Sequence, residues 1–133
     1  MSGDKGNGRV VTKFLFRGEY NTHPRHRVKW EPLQPNPSDW KTSVMRVDQL
    51  TEVQIWGLGQ AWVEPKRNKS IRARADIDAA VVLQQPPLFL EHAPPPDEHM
   101  NIAGWPPTED AVMVLAMELA EAATLHPRPG HVS

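Results

Sequence analysis

The chain has 133 residues, including 14 prolines and no cysteine. That length suits one domain, which would bury roughly two-thirds of the surface its unfolded form exposes. The lack of cysteine excludes disulfides, thiolate nucleophiles and cysteine-ligated zinc, and no apolar run approaches the ~20 residues that cross a bilayer. The opening Met1-Ser2-Gly3-Asp4-Lys5-Gly6-Asn7-Gly8 has no apolar core of the kind a secretory leader carries. A soluble cytoplasmic domain with no membrane partner is therefore expected.

The net charge of −1 conceals a sorted distribution, because 14 of the 15 Lys and Arg fall within residues 1–74, beside 7 Asp and Glu. Residues 75–133 hold Arg128 alone against 9 acids. Sorting of this kind can give a molecule one positive and one negative face.

In chain order, residues 1–8 are Gly-rich and polar and are expected to form a disordered tail before a single domain at 9–126. Val10 to Arg17 alternates as a strand with apolar residues on both faces, which suits a position well inside a sheet. Residues 18–40 form a long polar connection with Pro24, Pro32, Pro35 and Pro37, and Trp30 and Trp40 are placed to pin it down. Thr42 to Val47 is the next strand. Thr51-Glu52-Val53-Gln54 is a capping box that opens a helix over 51–63. Gly57 and Gly59 weaken this helix by up to ~1 kcal/mol each, and such pairs commonly let another backbone come close. A basic loop follows Pro65. Ser70 to Ile77 alternates cleanly as a strand, and Asp78 then caps a helical turn at Ala79–Leu83, stopped by Pro86-Pro87. Leu88–Leu90 and His99–Ile102 read as short strands on either side of Pro94-Pro95-Pro96. Thr108 caps a helix over 109–125, with Glu109 and Asp110 complementing its dipole. Its stripe of Val112, Leu115, Ala116, Leu119 and Ala123 is widened by Met113, Val114, Met117 and Ala120. A surface so apolar implies deep burial or self-association. Residues 127–133 are expected to fray. The fold expected is α+β: a small, mainly antiparallel sheet of four to five strands with two main helices packed on one face.

Two basic groups stand out as a candidate binding surface: Arg25, Arg27 and Lys29, then Lys66, Arg67, Lys69, Arg72 and Arg74. On a strand, Arg72 and Arg74 project from one face roughly 7 Å apart, a spacing that suits neighbouring phosphates. His92 and His99 flank the triple proline beside Glu91, Asp97 and Glu98, but their spacing matches no metal-ligand template, so no metal or cofactor is assigned. Met113 and Met117 read as core filler. There is no Gly-x-Ser-x-Gly elbow, and Ser38, Ser43 and Ser70 show no local relation to a His–Asp pair. Arg17, followed later by Thr42-Ser43, is similar to an arrangement in some NAD-consuming transferases, without the Glu motif that completes it there.

The strings Thr42-Ser43-Val44-Met45-Arg46, Glu52 to Gly59, Arg74 to Ile77 and Pro94 to Pro106 together resemble a group of small uncharacterised bacterial proteins over roughly residues 40–110. The resemblance implies a bacterial source. It carries over no activity and no catalytic residue. It singles out the corner around His99, Asn101 and Trp105 as a pocket, to which Arg17 and Arg46 are candidate contributors. The leading expectation is a non-enzymatic accessory protein acting through its divided charge on a protein partner or on itself. The alternatives are a nucleic-acid-binding module, and a small transferase or hydrolase using that pocket.

Overall fold

The computed structural model describes residues 8–130, so most of the two expected tails, residues 1–7 and 131–133, lies outside it. Among the described residues, besides a short 3-10 helix at Glu31–Leu33, twelve strands and α-helices follow in order: β1 (Val10–Leu15), β2 (Tyr20–Asn21), β3 (Arg27–Val28), β4 (Thr42–Arg46), α1 (Glu52–Trp62), α2 (Glu64–Arg67), β5 (Ala73–Asp78), α3 (Ala79–Leu83), β6 (Phe89–His92), β7 (His99–Ala103), α4 (Glu109–Ala122) and β8 (Thr124–Pro127). Six strands make one sheet in the order β6-β7-β4-β1-β5-β8, with every neighbouring pair antiparallel, and β2 and β3 form a separate ribbon.

The register explains what covers each face. Val11 lies opposite Arg46 and Ile77, and Thr12 opposite Met45 and Asp76, so residues of one parity share a face. One face carries Val11, Leu15, Val44, Ala75, Ile77 and Ile102, and it is packed by Val112, Ala116 and Leu119 of α4 with Val82 of α3. The other carries Phe14, Phe16, Met45 and Val47, covered by Ile55 and Trp56 of α1. Burying side chains of this size stabilises the fold by about 1.5–3 kcal/mol each.

The α+β class and the antiparallel sheet match the sequence reading; the sheet has six strands rather than four or five. The two long helices are divided between its faces rather than sharing one. The physical reason lies in β1, whose alternate residues are apolar on both sides and so require a cover on each.

The capping box forms as expected: Thr51 Oγ1 accepts from the Gln54 backbone N–H at 3.2 Å, and Gln54 Oε1 accepts from the Thr51 N–H at 2.9 Å. At Gly59 side chains rather than another backbone come close, since a Cβ there would sit 2.6 Å from Ile71 Cδ1 and 2.9 Å from Phe14 Cε1, whereas a Cβ at Gly57 would meet nothing within 4 Å. Trp40 Nε1 donates to the Pro106 carbonyl at 3.0 Å, and Trp30 packs on the core, so both tryptophans hold the 18–40 connection. The C-terminal helix stops earlier than 125. Ala123 is extended (φ −75°, ψ 148°), and residues 124–127 pair with β5 as an edge strand. Order continues past residue 126, because the Arg128 N–H donates to the Arg72 carbonyl at 2.9 Å.

Gly104 leaves β7 at φ +83°, where a Cβ would collide with the Pro87 carbonyl and press on the Phe89 ring at 2.9 Å. Gly104→Ala is predicted to destabilise by about 1–2 kcal/mol from the left-handed backbone alone, with more from the collision. Urea unfolding monitored by circular dichroism measures the change.

Candidate active site

The two central strands part company. β1 and β4 face each other at Val11–Arg46 and Thr12–Met45, after which β1 continues along β5 to Leu15–Ala73 and β4 continues along β7 to Thr42–Ile102. A cleft of about 700 Å³ opens where they diverge. Lys13, Phe14 and Phe16 line one wall, Thr42 to Met45 the other, and Trp62, Arg67, His99 and Asn101 border it. Helix α1 is only 11 residues long and covers the sheet over Phe14 and Met45, leaving the polar part of that face open.

On this open face Ser43 lies opposite Asn101 and Met45 opposite His99, which makes Ser43 and His99 diagonal neighbours. Ser43 is exposed and its Oγ is 2.7 Å from His99 Nε2. His99 Nδ1 lies 2.5 Å from the Ala93 carbonyl oxygen. A carbonyl only accepts, so Nδ1 carries the hydrogen. In the neutral ring Nε2 then presents a lone pair to the serine hydroxyl. The result is a hydroxyl held against a base whose tautomer is fixed by a third group. Next to it, Asn101 Nδ2 donates to Glu91 Oε1 at 3.3 Å, and Lys41 Nζ sits 2.6 Å from the same oxygen. Each partner of the Lys41–Glu91 pair favours the charged form of the other, raising the lysine pKa and lowering that of the carboxyl through their hydrogen bond.

Lys13 is half-buried, and its Nζ donates to the Ser43 carbonyl at 3.2 Å. Burial first, and then the nearby Arg67 charge, lower its pKa to about 8, with Glu19 opposing the shift. Desolvation and a like charge both disfavour the ammonium form. The Arg67 guanidinium lies over the Phe16 ring at 4.7 Å, and Lys69 Nζ is 6.0 Å from the same ring.

The other residues singled out by sequence disperse. Of the expected pocket, His99 and Asn101 line the cleft. Arg17 is exposed elsewhere, Arg46 Nε is 3.0 Å from Asp48 Oδ1, and Trp105 is buried with Nε1 donating to the Ile102 carbonyl at 3.1 Å. Arg25, Arg27 and Lys29 lie on and around the β2–β3 ribbon beside a shallower hollow of about 490 Å³ shared with Met117 and Glu121 of α4. Lys66 and Arg67 border the main cleft.

Arg72 is half-buried, whereas Arg74 is 2% exposed and unable to serve as a surface contact. Its guanidinium bonds Glu52 at 2.9 Å through both terminal nitrogens, holds Asp76 at 3.0 Å through Nε, and lies 5.0 Å from the Trp56 ring. The pairs Lys41–Glu91, Arg74–Asp76 and Arg128–Glu64 each join a residue from the cation-rich stretch of the chain to one from the acid-rich stretch. His92 Nε2 is 2.7 Å from the Asp97 carbonyl. Among the described residues no group of three or more His, Asp and Glu is arranged to hold a metal.

Sequence reasoning set Ser43 aside for want of a local His–Asp pair and did not weigh Lys13 as a site residue. Ser43 and His99 are 56 positions apart and meet only through the β4–β7 register. No family model matches the chain, and neither a curated protein nor a solved structure shows detectable similarity to it.

Because the native Lys13 pKa is about 8 against 10.5 for the free side chain, the unfolded chain holds a proton that the folded chain has shed between those values. Stability should therefore rise with pH across that window. Thermal melts are predicted to show the wild type gaining on Lys13→Met from pH 8 to 10.5, and NMR of the methylated lysine should show Arg67→Met moving the Lys13 midpoint upward.

Proposed function

We propose that this chain is a small serine-dependent hydrolase acting on ester-type acyl substrates, with Ser43 as nucleophile and His99 as its base. The observation that carries this reading is the 2.7 Å contact between Ser43 Oγ and His99 Nε2, with Nδ1 committed to Ala93. In the proposed reaction Ser43 Oγ attacks the acyl carbon and its proton passes to His99 Nε2. The imidazolium then returns that proton to the leaving alcohol as the tetrahedral intermediate collapses to an acyl-serine. Water attacks the acyl-serine, giving a proton to His99, which restores it to Ser43 as the acid departs.

The Lys13 ammonium donates to the Ser43 main-chain carbonyl, and in the proposed reaction its positive charge nearby would favour the developing oxyanion. A carbonyl in the orienting position fixes the tautomer but stabilises the imidazolium less than a carboxylate would, so a modest turnover is expected. This reading keeps the enzyme alternative raised from sequence and moves its centre from Trp105 to Ser43.

A second reading concerns self-association, favoured by the exposed Met113, Val114 and Met117 on α4. We propose that a second copy of this chain covers them. Set antiparallel, the acidic start of one α4, Glu109 and Asp110, would meet the Arg25, Arg27 and Lys29 ribbon beside the far half of the other. The apolar stripe would lie between, and the opposed charges are mutually complementary under a two-fold axis.

Two measurements check these readings. Ser43→Ala and His99→Ala are each expected to lower 4-nitrophenyl ester hydrolysis by about 100-fold or more, and a sulfonyl fluoride should label Ser43 in intact-mass spectra; unchanged rates in Ser43→Ala would overturn the assignment. Sedimentation equilibrium should show a salt-sensitive dimer that Met117→Glu converts to monomer, and a wild-type monomer at all concentrations would end the second reading.

A further inference from the structure

We infer that the substrate of this cleft carries an anionic group, a carboxylate or a phosphate, seated between Lys13 and Arg67. The inference rests on the hydrolase reading for the bond that is cleaved, but its own basis is the balance of charge around the cleft. Three cations of the sheet and its borders are compensated, Lys41 by Glu91, Arg46 by Asp48, and Arg74 by Glu52 and Asp76, whereas Lys66 on the rim of the cleft adds a further positive charge with no ion pair within 4.0 Å among the described residues. Among the described residues Lys13 and Arg67 form no ion pair within 4.0 Å, though both border the cleft.

The acids that line the cleft with them, Glu19, Glu31 and Asp39, form no ion pair within 4.0 Å with either cation. Glu19 Oε1 accepts from the Phe16 N–H at 2.9 Å, and Asp39 Oδ1 accepts from the Lys41 N–H at 3.1 Å. Glu31 lies along the loop side and is exposed. Glu19 raises the Lys13 pKa less than burial and Arg67 together lower it.

Two like charges thus share a half-enclosed space, offset in part by Glu19 but with no ion pair to either within 4.0 Å among the described residues. The Arg67 guanidinium carbon lies 4.7 Å from the Phe16 ring centroid, and a guanidinium lying over a ring can still offer its N–H groups in a bidentate bond to a carboxylate or phosphate. An anion seated there would relieve the repulsion between the two cations. It would also favour the Lys13 ammonium, whose charge near Ser43 would favour the developing oxyanion. Binding of the anionic group and charging of Lys13 are therefore coupled, and below saturation the anion would help the site toward its active protonation state.

The test compares two substrates of equal chain length, the mono-4-nitrophenyl ester of adipic acid and the 4-nitrophenyl ester of hexanoic acid. The expected result is a kcat/KM about 10-fold or more in favour of the anionic ester, lost in Arg67→Met. In parallel, calorimetry at pH 8 on the Ser43→Ala chain titrates adipate and inorganic phosphate, and the tighter of the two identifies the preferred headgroup. Binding should be accompanied by proton uptake, seen as a dependence of heat on buffer ionisation, and should weaken at least 10-fold in Arg67→Met. Equal rates for the two esters with no binding of either anion would overturn the inference. Anion binding without turnover of either ester would uphold the anion seat while removing the role assigned to Ser43.

Discussion

One strand governs this fold. β1 must bury apolar side chains on both of its sides, because Val11 and Leu15 point into the α4 cluster while Phe14 and Phe16 point into the α1 cluster. No single layer of helices satisfies such a strand, so the chain places its long C-terminal helix on one side and the short capped helix on the other. Lys13 interrupts the pattern. A side chain with an amine cannot lie in an apolar layer without a partner, and here it reaches the Ser43 carbonyl in the gap where β4 turns away. The gap that accommodates the lysine is also the cleft.

The two faces differ in a way that separates folding from chemistry. The α4 side of the sheet is filled by one continuous apolar cluster. On the α1 side the cover ends partway, and the strands beyond it present Ser43, His99, Asn101 and Glu91 in register. These side chains sit on paired strands rather than on loops, so their separations are fixed by the ladder itself. The same side contains the Arg74 cluster, in which a buried guanidinium is matched by Glu52 and Asp76 and packed on Trp56. That arrangement ties α1 to β5 and leaves no free charge at the centre of the covered half.

Local signals were legible before any coordinates. The capping box at Thr51, the cap at Thr108 and the alternation from Ile71 to Ile77 each depend on a few neighbouring residues, and each appears as read. Signals that depend on pairing were not. The edge strand at 124–127 contains one buried residue, Leu125, and directly follows a helix, so nothing in its composition separates it from a fraying end. Arg74 alternates with apolar neighbours like an outward-facing cation, yet its face is covered by a helix some twenty positions earlier. Ser43 and His99 are unremarkable apart and become a chemical pair only through strand order, which one sequence does not reveal.

The abundant proline has a further meaning once the strand order is known. An open sheet has two outer strands whose free backbone groups invite further strands to add, and here those are β6 and β8. β8 terminates on Pro127, and β6 is bracketed by Pro86-Pro87 before it and Pro94-Pro95-Pro96 after it. Proline has no N–H to offer a neighbouring chain, so both margins end where a growing ladder would need its next donor. The imino acids that make the connections rigid thereby also shorten the ladder that either margin of this six-stranded open sheet can offer to another strand.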